Sequence, residues 1–96
     1  MKGFILTPRA ISDIDEIWEF SFQYWGFQRA DMYVDEIRST FERIAADPKL
    51  GKSCDAIRSG YFRYPSGSHV VFYRLAARQV EIVRILHQRM DFEHHF

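Results

Sequence analysis

The chain has 96 residues, 47% of them hydrophobic, and its 13 basic and 13 acidic side chains cancel to a formal charge of zero. One small domain is expected, able to bury roughly two thirds of its unfolded surface, and the charge balance argues against a general nucleic-acid coater. No apolar run is long enough to span a bilayer, and a single cysteine, Cys54, excludes an internal disulfide.

With no signal peptide ahead of this pattern, the expectation is a soluble protein of a reducing cytoplasm. Cys54 falls in a polar connection with nothing nearby to depress its pKa, so it is read as an incidental thiol. The zero net charge hides an asymmetry. Residues 1–48 carry five basic against nine acidic side chains, and residues 49–96 carry eight against four, a balance of −4 and +4. A bipolar surface follows, with a basic half suited to phosphate or to an acidic protein.

Gly3-Phe4-Ile5-Leu6 reads as a short opening strand. Thr7-Pro8 announces a helix, because threonine caps free amides and proline suits the first helical position. Asp13, Asp15 and Glu16 are expected near the positive dipole end of that helix. Ile11, Ile14, Trp18 and Trp25, with Ile17 beside them, fall on one stripe at helical spacing. Gly26 is a stop. A second helix runs from about Gln28 to Ala46 along the apolar seam Ala30, Val34, Ile37, Phe41 and Ile44. Asp47-Pro48 ends it, and the short gap at Gly26 makes the pair an antiparallel hairpin.

Lys49 to Asp55 is a polar connection. Three strands follow: Tyr61 to Tyr64, His69 to Leu75, and Gln79 to His87, the last the most apolar and expected to be central. Turns fall at Pro65-Ser66-Gly67-Ser68 and Ala76-Ala77-Arg78. The fold class is α+β in the order β-α-α-β-β-β, a helical hairpin on a small, mostly antiparallel sheet. The insertion point of the first strand is not readable.

Alternation puts Val71, Tyr73 and Leu75 on one face, with Val70, Phe72 and Arg74 on the other. On the last strand it sets Ile82, Arg84 and Leu86 against Glu81, Val83, Ile85 and His87. Both faces are apolar, so one covers the helices and the other needs the tail or something foreign. Arginine recurs through this half, and buried charge is costly unless paired. Arg58, Arg63, Arg74, Arg84, His87 and Arg89 are therefore the candidate contacts to an anion or an acidic partner. Pairing of Arg74 or Arg84 with Glu81 or Asp91 is the competing reading.

Phe20, Phe22, Tyr24, Trp25 and Phe27 surround the first helix, and one core face cannot bury them all. A surplus of exposed aromatics marks a binding surface. His94 and His95 have poor zinc-ligand spacing and read as a solvated tail. No phosphate loop, nucleophile elbow or paired-carboxylate signature is present, so no catalytic residue, metal or cofactor is assigned.

Leu6-Thr7-Pro8-Arg9-Ala10 with Asp13-Ile14, Asp47-Pro48, Ile57 to Tyr61, Gly67 to Arg74, and Ile82 to Asp91 occur in order on these elements. In this the chain resembles the ParE toxins of bacterial toxin–antitoxin modules, within the RelE/ParE superfamily. The resemblance implies a non-enzymatic toxin that inhibits DNA gyrase and traps cleaved DNA. It implies neutralisation in a hetero-oligomer by a ParD-like antitoxin, whose flexible segment wraps the toxin and through which alone operator DNA is met. The alternative within the superfamily is a RelE-like, ribosome-dependent mRNA endonuclease. In it Lys49, Lys52 and Arg58 would loosely stand for the phosphate-holding cations, with Arg89 and His95 near the end of the chain.

Overall fold

The structure, a computed structural model, describes residues 3–96. Strand β1 (Phe4–Leu6) leads into helix α1 (Pro8–Trp25) and helix α2 (Phe27–Ala46). A 3-10 turn at Pro48–Leu50 precedes strand β2 (Lys52–Ser53), and strands β3 (Tyr61–Ser66), β4 (His69–Leu75) and β5 (Val80–His87) follow. A second 3-10 turn, Phe92–His95, ends the chain. The five strands form one sheet in the order β1-β5-β4-β3-β2. Only the β1–β5 pairing is parallel. The hairpin-on-sheet architecture agrees with the sequence pattern.

Thr7 fixes the start of α1 as expected. Its hydroxyl accepts from Ala10 N at 3.1 Å and donates to Val83 O at 2.8 Å, so the cap also moors the helix to β5. Gly26, at φ 85°, serves both as the end of α1 and the start of α2. The positive φ explains glycine there. The α2 seam is buried throughout, with Ala30, Ile37 and Ile44 at 0% exposure.

The α1 stripe is narrower than its spacing suggested. Ala10, Asp13, Ile14, Ile17 and Ser21 are buried, whereas Ile11 and Trp25 lie in solvent. No acidic residue sits in the first turn. Asp13 instead occupies the buried stripe, because a cation on β5 meets it there.

The sheet departs from simple alternation at one place. Phe72 pairs with Arg84 and Tyr73 with Ile82, leaving Val83 as an extra residue in β5. This bulge re-aims the strand. Ile82 and Ile85 both enter the helix-side core with Val71, Tyr73 and Val80, while Leu86 joins Phe72 on the far face. β5 is an interior strand, paired with β4 along its length and with β1 over Val80–Ile82, and β4 is the third of the five. β3 also runs on through Pro65 to Ser66. Proline is tolerated because β2 reaches only Phe62 and Arg63, so β3 is an edge beyond them.

The far face is covered by the tail. Phe92 and Phe96 each pack on Phe72 with ring centroids 4.9 Å apart, so the tail is anchored rather than fully solvated. Cys54 is buried in the same cluster, not exposed in a polar loop. Burial pushes its thiol upward, only partly offset by the Arg63 charge. Strand β2 was read as connection, because two residues carry no alternation.

Candidate functional site

Between the helical hairpin and the end of the sheet lies an open groove of about 880 Å³. Ile17, Phe20 and Trp25 line it from α1, Met32 and Tyr33 from α2, and Ile85 from the floor. Phe20 and Trp25 are each 57% exposed. They continue into the hairpin tip, where Phe22, Tyr24, Phe27 and Met32 are also exposed. The aromatic surplus seen in the sequence is thus on the surface. A contiguous apolar patch of this kind is the usual mark of a docking surface.

The groove is not a cationic channel. Arg9 and Arg29 on its walls are matched by Glu16 and Glu36, and Asp13 and Arg84 neutralise each other. Its polar features are two imidazoles. Tyr33 accepts from Ser68 N at 3.0 Å and shares a hydrogen bond with His69 Nδ1 at 2.6 Å. His87 Nδ1 accepts from Arg89 N at 3.1 Å, and the two rings meet edge to face at 5.3 Å. Burial, then the neighbouring His87, lowers the His69 pKa to about 4.

Of the six residues singled out in the sequence, Arg84 and His87 line the groove. Arg84 does not face outward. Its Nε and Nη2 bond both oxygens of buried Asp13 at 2.8 and 2.9 Å, and its Nη1 donates to the His95 carbonyl at 2.8 Å. The same carboxylate accepts from Ile85 N at 2.9 Å, so every donor around it is satisfied. Arg74 pairs with Glu81 at the surface, as the local reading allowed. Arg58 lies over the Tyr61 ring, 5.8 Å from its centroid. Arg63 and Arg89 are exposed. The sequence reading therefore marked residues on several surfaces rather than one site. It did not mark Tyr33, His69 or Met32, which are one turn or one strand from their groove partners only in three dimensions.

Among the described residues, no three His, Cys, Asp or Glu side chains gather in a way that could hold a metal ion. No helix among them is long and apolar enough to cross a membrane.

The fold defines a class. It is shared with a solved structure of the chromosomal ParDE system from P. aeruginosa, with a TM-score of 0.80. The likeness covers 91% of this chain and 96% of that one at 18% identity, and so is one of fold. Sequence goes further. The model of the ParE toxin of the type II toxin–antitoxin system parDE matches residues 4–92. Toxin ParE1 of Caulobacter vibrioides is 47% identical over 95 residues, covering 99% of this chain and 98% of its own. Toxin ParE1 of Mycobacterium tuberculosis is 40% identical over 89 residues, 92% and 91% of the two chains. The chain belongs to the ParE toxin family of type II toxin–antitoxin systems.

Proposed function

We propose that this toxin inhibits DNA gyrase without breaking bonds itself, and that a ParD-like antitoxin neutralises it by laying an amphipathic segment in the groove. The observation that carries the antitoxin half is the groove, whose exposed aromatic wall suits the apolar face of an incoming helix or strand. Family membership supports the gyrase half. Segments that order on binding characteristically wrap such surfaces. The assembly acts in the cytoplasm and meets operator DNA through the antitoxin.

The separation of Arg89 from Lys52 favours the non-enzymatic reading over the nuclease alternative. Metal-free cleavage needs cations converging on one phosphate. Lys52 is on β2 and Arg89 follows β5, with β3 and β4 between them. At roughly 4.8 Å per strand spacing, that is about 14 Å before any offset along the strands.

The test is induced expression with two assays side by side. Cleaved plasmid should accumulate with purified gyrase while ribosome-bound mRNA stays intact. Cut mRNA with unaffected gyrase would reverse the assignment.

A further inference from the structure

Two cations face each other on neighbouring strands at the far edge of the sheet. Lys52 of β2 is in direct register with Arg63 of β3, and Arg63 in turn with Phe72 of β4. Both therefore project from the face opposite the helices. Both are exposed, and neither makes an ion pair among the described residues. Directly opposed β-carbons are about 4.5–5.5 Å apart, where like charges repel. Tyr61 precedes Arg63 by two positions on the same face and carries the Arg58 guanidinium over its ring. The acid nearest in sequence, Asp55, is turned into its own loop, accepting from Gly60 N at 2.8 Å. A lysine on an edge strand also discourages stray strand pairing. That accounts for Lys52, as the Tyr61 ring does for Arg58, and leaves Arg63 unexplained.

We propose that Lys52, Arg63 and Arg58 form a phosphate-binding patch that seats the backbone of duplex DNA, on a surface separate from the groove. A lone carboxylate would satisfy one cation. Three cations against the single exposed carboxylate of Asp55 leave the patch net positive, which suits a polyanion, and sequence-independent phosphate contact needs nothing more than such a cluster. The patch gives the toxin a direct hold on DNA, whether or not gyrase is its target.

The test is fluorescence anisotropy of a labelled duplex of about 20 base pairs, titrated with the free toxin from about 50 to 200 mM salt. Binding should weaken with salt, with the duplex recovered intact. The double variant K52A/R63A should bind at least about tenfold more weakly. Its log–log salt slope should be shallower by about 2, close to 0.9 per lost phosphate contact. R78A removes an exposed cation at the β4–β5 turn and should change neither quantity. The thermal midpoint of K52A/R63A should hold or rise, which separates lost binding from lost folding. No binding at the lowest salt, equal losses in R78A and the double variant, or tighter binding of polyglutamate or single-stranded RNA would overturn the proposal.

Discussion

Asp13 on α1 and Arg84 on β5, 71 positions apart, close a buried bidentate pair that also holds the Ile85 amide and the His95 carbonyl. Helix, strand and tail meet at this one ion pair. Removing one member strands the other charge in a site with little water. Asp13→Ala and Arg84→Ala should each cost about 3–5 kcal/mol in urea unfolding. The double variant should cost less than the sum of the two. Additive losses would mean that the pair does not act as a unit.

Stability should fall in mild acid through His69. An unfolded imidazole titrates near 6.5, whereas burial lowers His69 to about 4 in the fold. Between those values the unfolded chain binds more protons, so the contribution is complete above pH 6.5 and lost as pH falls towards 4. Surface carboxylates begin to titrate at the lower end, so the comparison is with His69→Asn, which keeps an acceptor for Tyr33. The wild-type urea midpoint should drop more steeply than the variant's from pH 7 to 4.5. Parallel curves would remove His69 as the source.

Gly67 should resist substitution more than Gly60. Both have positive φ, 60° and 82°, but a β-carbon at Gly67 would lie 2.8 Å from the Tyr33 ring, while Gly60 faces open space. Gly67→Ala should therefore destabilise by more than about 1 kcal/mol and by more than Gly60→Ala. Equal thermal shifts would show that the turn yields freely.

The aromatic wall should matter for association and not for folding. Phe20→Ala and Trp25→Ala remove rings that are more than half exposed, so thermal midpoints should change little. Affinity for a co-expressed ParD-like antitoxin, measured calorimetrically, should fall at least about tenfold for one or both. Unchanged affinity in both would move the docking surface elsewhere.

The helices were legible because their information is local. Thr7-Pro8, Gly26, the α2 seam and Asp47-Pro48 each act within a few residues of themselves. Four of the five strands were legible, β2 being read as connection, but their register was not. The extra Val83 has no signature in composition, yet it decides which side of the sheet Ile82 and Ile85 occupy. The arginines illustrate the same limit. Their recurrence is plain in the sequence, but only tertiary pairing separates Arg84, locked to a carboxylate 71 residues away, from Arg63, which faces another cation. The groove was legible as surplus aromatics and invisible as a place, because α1, α2 and the end of β5 converge only after folding.

The parallel seam between Phe4–Leu6 and Val80–Ile82 has a bearing on biosynthesis. The first strand to leave the ribosome must wait for the last before it has a neighbour, and such distant pairings are slow to form. A nascent chain that has not yet reached Val80 lacks the floor on which α1 rests, and with it the groove. Poisonous activity should thus switch on only when translation is nearly finished, giving an antitoxin made at the same time a head start. Chains arrested at residue 78 should show no cooperative unfolding transition; a sharp one would mean that the hairpin stands without its sheet.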